Sequence, residues 1–326
     1  MIFFTLEETL AMICAAIIID WAIGDPKWPT HPVIWIGRWI HYWERKLNPA
    51  ANTMASGTVR LRGIVLTLIT LTTTFIVMWA LIFLAGKLHP WLAYLLNTWF
   101  ISTTIAVKGL KDAAYLVYVP LTAGRLDEAR RYTGYIVGRD TDRLDEAGVA
   151  RATIETVAEN TVDAFVSPIV YALLGGAPLA MLYRAANTLD SMVGYKNEKF
   201  IDFGWASART DDVLNYIPAR ITGILILLSA WPMKEMSVAR GWQSIRAFAG
   251  LHPSPNSGIP ESAAAGALGI ELGGLNYYFG KPGERARMGW PLRPIEPRDI
   301  VRTVRLLYGV SIFCFAGGCI GWWFAG

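Results

Sequence analysis

Long stretches without a charged side chain constrain what this chain can fold into more than any other feature. Four of them cover residues 63–86, 88–107, 164–183 and 306–326. Each is close to the roughly 20 residues that a helix needs to cross the hydrocarbon of a bilayer. Stretches 9–24 and 216–233 are weaker candidates, because Asp20 and Arg220 interrupt them. The pattern predicts an all-α polytopic membrane protein with about five or six membrane segments.

The composition agrees with a membrane protein. Hydrophobic residues make up 53% of the 326 residues and charged residues only 17%, against about 25% charged in an ordinary soluble domain. The net charge of +4 is modest, and we expect no nucleic-acid partner. The N-terminal segment lacks Lys, Arg and a small-residue cleavage pattern, so we expect a retained first helix and not a signal peptide. The cysteines lie in apolar segments and the histidines never pair at ligand spacing, which argues against disulfides and a zinc site.

Basic residues predict how the chain is oriented. Lys and Arg are frequent after the first membrane segment, in 27–62, and after the third, in 108–151. Because short loops rich in Lys and Arg stay in the cytoplasm, both loops are expected on that side of the inner membrane. No internal repeat or low-complexity linker is visible, so we expect one integrated domain over 1–326. Its cytoplasm-facing polar stretches would be about 25–62, 108–161, 184–215 and 234–305.

The apolar segment at 164–183 contains an unusual break. Gly175, Gly176 and Pro178 lie at its centre, where a straight helix would lose about 1 kcal/mol for each Gly and about 3 kcal/mol for Pro. A turn is the more economical interpretation. Residues 163–174 would then enter the membrane and 178–189 would return as a re-entrant helical hairpin, whose exposed backbone must be covered by protein. A straight span, the alternative, would place Asn187 and Asp190 on the opposite side.

A face of carboxylate and amide side chains precedes this segment, in ETVAENTVDAF at 155–165. Glu155, Glu159 and Asp163 are four residues apart and would line one helical face, where the like charges of Glu159 and Asp163 cost roughly 0.2–0.5 kcal/mol. A divalent cation would relieve that repulsion, and Glu159, Asn160 and Asp163 carry suitable oxygen ligands. The alternative is a solvated helix face capped at Asn160 or Thr161.

A second polar group follows the break. Its members, several at helical spacing, are Arg184, Asn187, Asp190, Ser191, Lys196, Arg209, Asp211 and Asp212. Ionisable residues at membrane depth usually serve function, because they are costly to keep there. Such a mixture of acidic and basic groups suits a metal held together with phosphates. The alternative is a hydrogen-bonded cluster between helices.

A proline-rich loop, LHPSPNSG at 251–258, leads into the Ala- and Gly-rich stretch IPESAAAGALG. Pro260 suits a first helical turn, with Ser254 or Ser257 as a cap, and a helix of small residues can pack closely. Free amides at such a helix start, beside hydroxyl and amide side chains, form a natural seat for phosphate. The alternative is a rigid structural cap.

Aromatic residues crowd the first polar stretch, as they do at a lipid interface. They are Trp28, Trp35, Trp39, Tyr42 and Trp43. The prolines at 26, 29 and 32 exclude a continuous helix, so the first membrane helix is expected to end near Asp25. His31, a lone histidine among aromatics, is expected to be a structural group.

Several stretches, in order, run through nearly the whole chain: GDP and HPV within 24–33, VGRDT at 137–141, RATIETVAENTVDAF at 151–165, YALLGGAPLAMLYRAANTLDSMVGYK at 171–196, and HPSPNSGIPES with AGALG up to 269. Together they resemble one family, the membrane proteins of cobalamin biosynthesis called CbiB or CobD, the adenosylcobinamide-phosphate synthases. Long matches in order are far more specific than any single motif. Ser257 and Ser262 occupy positions where the family is expected to have Ala. This difference affects only the expected phosphate-binding site at the start of the helix.

The resemblance implies an ATP-dependent amide ligase that joins a propionate carboxylate of adenosylcobyric acid to 1-aminopropan-2-ol or its O-phosphate. Such a carboxylate must be activated, as an acyl phosphate, with Mg²⁺ and cations neutralising the transferring phosphoryl group. From residue type and placement, the catalytic candidates are Glu155, Asp163, Asp190 and Asp211, with Glu155 or Asp211 taking the amine proton. The Mg²⁺ candidates are Glu159, Asn160, Asp163, Asn187 and Asp190. The candidates for the phosphates of ATP are Arg184, Lys196, Arg209, His252, Ser254, Asn256 and Ser257.

Two other functions compete. Asn187-x-x-Asp190 and Asp211-Asp212-x-x-Asn215 resemble the paired diphosphate–Mg²⁺ motifs of intramembrane prenyltransferases, but such an enzyme would be nearly all membrane helix and would leave the HPSPNSG loop unexplained. A transporter would use acidic residues such as Asp20 as pathway charges, but its hydropathy halves should mirror each other, and they do not. The sequence also allows a homo-oligomer.

Overall fold

The computed structural model describes residues 3–24, 28, 30–48, 55–195, 197–278 and 280–325. The first helices are α1 (Leu6–Ala22), α2 (Pro32–Leu47), α3 (Ser56–Leu88), α4 (Pro90–Ser102), α5 (Val107–Thr122), α6 (Leu126–Thr133) and α7 (Glu146–Thr161). A π-helical turn, Val162–Val166, follows α7. The next helices are α8 (Ser167–Val193), α9 (Trp205–Leu214), α10 (Tyr216–Ala230), α11 (Val238–Phe248), α12 (Gly258–Leu268) and α13 (Arg298–Ala325), and a 3-10 turn, Ala249–Leu251, follows α11. Strands β1 (Leu272–Tyr278) and β2 (Lys281–Met288) form the one sheet among these residues.

The predicted all-α membrane fold is confirmed apart from this small sheet. Within the described ranges, three helical segments are long and apolar enough to cross a membrane: α3, Glu146–Val193 and α13. A fourth is counted if α9 and α10 act as one broken span. The predicted number of five or six is not confirmed, because α1 has 17 residues and α4 only 13, fewer than the roughly 20 that span the hydrocarbon. The helix α1 ends close to the predicted position, but Asp25 itself lies outside the described residues.

The contacts divide the chain into two compact units. The first unit comprises Met1–Ala106, Ser167–Asn215 and Gly317–Gly326, and the second comprises Val107–Val166 and Tyr216–Ala316. Each unit is therefore assembled from stretches that are distant in sequence. The single integrated domain expected from the sequence stays a prediction.

In the first unit, α8 is interrupted where the glycines predicted a break. Gly175 has φ −159° and Gly176 has φ +66°, neither of which is helical. The left-handed φ favours glycine at 176, and a Cβ there would also lie 2.7 Å from Asn97 Oδ1. The break is thus confirmed, whereas the return of the chain as a re-entrant hairpin stays a prediction.

In the second unit, α6 and α7 lie on either side of Gly138 along the chain, and α7 is mostly buried. The helix α12 begins at Gly258 and carries Pro260 in its first turn, as predicted. Every residue of α12 is buried. Its small side chains pack against α10 and α11, which agrees with the close packing expected of an Ala- and Gly-rich helix.

The antiparallel β1–β2 hairpin was not predicted. Its register shifts between Leu272 and Gly274, at a bulge occupied by Gly273 with φ +82°. A Cβ at Gly273 would lie 2.1 Å from the carbonyl oxygen of Ala286, so glycine is required at this bend. The bulge directs the Gly273 amide toward the carboxylate of Glu155 on α7.

Candidate functional site

Five ionisable side chains of the second unit meet at the β-hairpin and form what we call the hairpin cluster: Arg139, Glu155, His252, Glu261 and Arg285. The Glu155 carboxylate is almost fully buried, with 1% of its surface exposed. It accepts a hydrogen bond from the Gly273 amide at 2.7 Å, a second from Arg139, and a longer one from Arg285 Nη1 at 3.4 Å. A buried carboxylate requires such partners, so Glu155 joins α7, the 134–145 segment and the hairpin.

Arg285, from β2, connects Glu155 to a second buried carboxylate. Its Nη2 donates to Glu261 Oε1 at 3.0 Å. Burial raises the pKa of the Glu261 carboxyl well above its usual value; Arg285 opposes that rise, and the charges of Glu155 and Glu159 add to it. Glu261 is therefore the carboxyl of this cluster that most readily holds a proton.

The same Arg285 Nη2 also lies 2.9 Å from His252 Nε2. On the other side of the ring, the Ser254 backbone N–H donates to His252 Nδ1 at 3.0 Å. Burial and the nearby Arg285 lower the pKa of His252, so the imidazole is neutral at physiological pH.

The loop before α12 brings four of the predicted phosphate ligands together. Ser254 Oγ accepts the amides of Asn256 and Ser257, at 3.2 and 3.4 Å. Ser257 Oγ donates to Glu159 Oε1 at 2.9 Å, and Arg220 Nη1 donates to Asn256 Oδ1 at 3.2 Å. The amides of Ser254, Asn256 and Ser257 are thus used within the loop, as in the structural cap considered as the alternative, while Arg220 adds a cation beside it.

The acidic face of α7 is only partly maintained. Asn160 Nδ2 donates to the Thr156 carbonyl at 2.9 Å, and Asp163 lies half-buried on the π-helical turn, a feature often found at functional sites. Among the described residues, no group of three or more His, Cys, Asp or Glu side chains is arranged to hold a metal ion. The expected Mg²⁺ ligands also include Asn187 and Asp190 of the first unit, so this site stays a prediction.

In the first unit, polar side chains of α8, α9 and Asn215 form what we call the Asp211 cluster: Arg184, Asn187, Asp190, Asp211 and Asn215. Asn215 is buried, and its Oδ1 accepts the hydroxyls of Ser167 at 2.5 Å and Tyr183 at 2.8 Å. Its Nδ2 therefore faces Asp211 and donates to Oδ2 at 2.9 Å.

The other side of the Asp211 carboxylate faces α8. Asn187 Nδ2 donates to Asp211 Oδ1 at 3.4 Å, and Arg184 Nη1 donates to Asn187 Oδ1 at 3.3 Å. Asp190 lies close enough for its charge to act on Asp211. Arg184 Nε is buried and, within the described residues, has no hydrogen-bond partner. The cluster therefore places the carboxylates of Asp190 and Asp211 beside the Asn187 amide and the Arg184 guanidinium, one of whose N–H groups has no hydrogen-bond partner among the described residues.

Among the described phosphate candidates, Arg209 does not join the Asp211 cluster. Arg209 is exposed and pairs with Asp212 at 3.5 Å. Lys196 lies outside the described residues. The prediction from the sequence had grouped these side chains because they are close along the chain. Direct hydrogen bonds bring three of them together: Arg184, Asn187 and Asp211.

Four residues of these clusters received no role in the ligase hypothesis from the sequence: Arg139, Asn215, Glu261 and Arg285. Arg139, Glu261 and Asn215 stood inside quoted motifs, so the signal was present but was not used. Arg285 stands on a hairpin strand that was not predicted, and no pattern in the sequence marked it.

Comparison with known proteins finds relatives along nearly the whole chain. A family profile described as CobD/Cbib protein matches residues 13–307. The cobalamin biosynthesis protein CobD of Halalkalibacterium halodurans is 46% identical over 310 residues, which are 94% of this chain and 95% of that protein. The CobD protein of Geobacter metallireducens is 44% identical over 306 residues, 94% of each chain. The cobalamin biosynthesis protein CbiB of Salmonella typhimurium is 42% identical over 312 residues, 94% of this chain and 96% of that one.

No solved structure shows a significant match. The family profile covers both polar clusters and all the motifs quoted from the sequence. With relatives above 40% identity along nearly their whole length, the chain belongs to the CobD/CbiB family of cobalamin biosynthesis proteins.

Proposed function

We propose that the protein is an ATP-dependent amide ligase that joins a propionate carboxylate of adenosylcobyric acid to aminopropanol or aminopropanol phosphate. The main support for this proposal is that the chain belongs to a cobalamin biosynthesis family. The segments that match the family also contain buried clusters of carboxylate, amide and guanidinium groups. Family membership also argues against the prenyltransferase and the transporter. The products would be adenosylcobinamide or its phosphate.

The chemistry proceeds in two steps. The propionate oxygen attacks the γ-phosphorus of ATP, which gives an acyl phosphate and releases ADP. The amine nitrogen then attacks the acyl carbon, phosphate leaves with the electron pair of the carbon–oxygen bond, and a base receives the proton lost by nitrogen. The enzyme must therefore neutralise phosphoryl charge and hold one basic group near the amine.

The Asp211 cluster suits these needs. Asp211 is held from both sides by the amides of Asn215 and Asn187, so we assign it the amine proton. Asn187 and Asp190 have the hard oxygen atoms that Mg²⁺ prefers, and the bound ion would supply charge neutralisation for the phosphoryl group. Arg184, with its unsatisfied Nε, would bind a phosphate oxygen. Asp163 and the remaining predicted Mg²⁺ ligands of α7, Glu159 and Asn160, are kept as candidates.

The hairpin cluster has a different role in this proposal. Glu155 is enclosed by Arg139, Arg285 and the Gly273 amide, so it is poorly placed to act as a base and instead holds the hairpin against α7. The loop residues His252, Ser254, Asn256 and Ser257 are assigned to phosphate binding with Arg220. The loops rich in Lys and Arg support a location of this activity on the cytoplasmic side of the inner membrane.

The test is direct ligation by purified protein in lipid nanodiscs. It is incubated with adenosylcobyric acid, ATP, Mg²⁺ and either free or phosphorylated aminopropanol, and the amide product and the released nucleotide are identified by mass. We expect one of the two amines to give product, and Asp211→Asn and Asp190→Asn to lower the rate at least tenfold at limiting Mg²⁺. Asp127→Asn, whose side chain is 97% exposed, is the control and should keep the rate. Absence of product with both amines would refute the ligase.

A further inference from the structure

The helix α2 of the first unit exposes one of its faces. Its exposed residues recur at three and four: Ile34, Trp35, Arg38, His41, Tyr42, Arg45 and Lys46. This spacing places them on one side of the helix. Ile36 and Ile40, on the other side, are buried, and His31 caps the helix start by accepting the Val33 amide.

The exposed face is cationic. The only acidic residue of α2 is Glu44, which is half-buried and engaged by Lys199 Nζ at 2.7 Å and His41 Nδ1 at 3.3 Å. Within the part of the chain that the structure describes, Arg38, Arg45 and Lys46 form no ion pair with a carboxylate. The described residues therefore offer these three positive charges no carboxylate partner.

Aromatic rings lie directly beside these charges. The Arg38 guanidinium is 5.1 Å from the centroid of the Trp35 ring, and Lys46 Nζ is 4.3 Å from that of Tyr42, whose hydroxyl it also contacts. Trp and Tyr settle at the level of lipid headgroups, since one part of each ring system is apolar and another is polar. A helix that exposes both aromatic and basic side chains is suited to that layer.

The end of α2 is fixed at the start of a membrane helix. Arg62, near the beginning of α3, donates from Nη1 to the carbonyl oxygen of Leu47, the last residue of α2, at 3.3 Å. The uncharged stretch of α3 begins at the next residue, Gly63. The last turn of α2 therefore lies at the depth where water meets the hydrocarbon.

We propose that this exposed face of α2 binds the phosphate-bearing headgroups of anionic phospholipids. Arg38, Arg45 and Lys46 receive the phosphates, while Trp35 and Tyr42 insert between the headgroups. Each basic side chain near an anionic lipid surface raises affinity roughly fivefold. Three together give a preference for anionic over zwitterionic lipid on the order of 100-fold.

The experiment measures lipid binding to the full-length protein, purified in a neutral detergent, by native mass spectrometry. Phosphatidylglycerol and phosphatidylcholine with identical acyl chains are titrated separately. Wild type should bind phosphatidylglycerol more tightly, and Arg38→Gln/Arg45→Gln/Lys46→Gln should bring the two affinities close to equal while phosphatidylcholine binding is unchanged. Unchanged phosphatidylcholine binding also shows that the variant is folded.

Two further variants make the result specific. Arg38→Lys/Arg45→Lys keeps both charges and should keep the preference. Arg125→Gln/Arg131→Gln/Lys281→Gln removes three exposed positive charges from the second unit and should also keep it. Three results would each overturn the proposal. The wild type could show no preference for phosphatidylglycerol, the triple α2 variant could retain that preference, or the second-unit control could lose as much of it as the α2 variant does.

Discussion

Asn97 of α4 accepts the backbone N–H of Ala177 at 2.8 Å, inside the break that divides α8. Asn97 is fully buried, and its own Nδ2 points to Met12 Sδ at 3.2 Å. The Ala177 amide follows two non-helical glycines and would otherwise be an unpaired donor at a helix start. Interrupted backbone at membrane depth is tolerated only where protein satisfies it, and Asn97 supplies that partner.

Replacing Asn97 by Leu should therefore destabilise the first unit. The substitution leaves the Ala177 amide buried and unpaired, which costs about 1–3 kcal/mol. Gly176→Ala should cost about 1–3 kcal/mol as well, because its φ of +66° with ψ of −155° is a backbone conformation that essentially only glycine adopts. Denaturant unfolding in detergent measures both losses, with Leu95→Ala on the exposed side of α4 as the control. Equal stability of Asn97→Leu and the control would contradict this role.

Glu155→Gln should be the most destabilising change in the hairpin cluster. Gln can still accept the Gly273 amide, but it cannot neutralise Arg139 and Arg285, and leaving buried charges uncompensated costs about 3–5 kcal/mol. Asp127→Asn breaks an ion pair whose acid is 97% exposed and should change the free energy of unfolding by less than about 1 kcal/mol. If the two variants unfold at the same denaturant concentration, Glu155 is not a structural anchor.

Helical features were the most predictable from the sequence, because periodic apolar residues and glycine or proline breaks act locally. The break at Gly175 and the start of α12 before Pro260 are examples. The hairpin could not be predicted, since its bulge at Gly273 is defined by contact with distant Ala286 and Glu155. The site was predictable only in part for the same reason: Asn187 and Asp211 were named from their residue types, whereas the hydrogen-bond partners that orient them, such as Asn215, depend on tertiary packing.

The buried Glu261 should make stability fall as the pH rises. Its pKa in the folded protein lies well above the usual value of 4.5, so between these two values the folded state binds more protons than the unfolded state. Stability from this group is present at low pH and is lost as pH rises through the folded pKa. Glu261→Gln removes this dependence, and the free energy of unfolding of the variant relative to wild type should increase with pH. If the free energies of unfolding of wild type and Glu261→Gln change with pH in parallel, the raised pKa of Glu261 is contradicted.

His252 should act in the opposite direction. Its pKa in the folded protein lies below the usual 6.5, so the unfolded state binds more protons between these values, and stability is lost as pH falls below about 6.5. Protonation would also place a positive ring beside the Arg285 guanidinium, whose Nη2 lies 2.9 Å from Nε2. His252→Asn should therefore lose less stability on acidification than wild type does, measured by unfolding in one buffer series. Equal acid-side losses would show that the imidazole is not held neutral.

Asn215 should orient Asp211 for the proposed ligase reaction. Its Oδ1 is fixed by the hydroxyls of Ser167 and Tyr183, so Asn215→Asp would set a second carboxylate against Asp211 and should lower kcat/KM by about 10–100-fold. The double change Asn215→Asp/Asp211→Asn restores a donor facing an acceptor, and we expect it to recover the free energy of unfolding but not the rate of amide formation, because the proton acceptor is gone. Recovery of both would mean that the pair is only structural, and recovery of neither would mean that the hydrogen bond is not what holds Asp211.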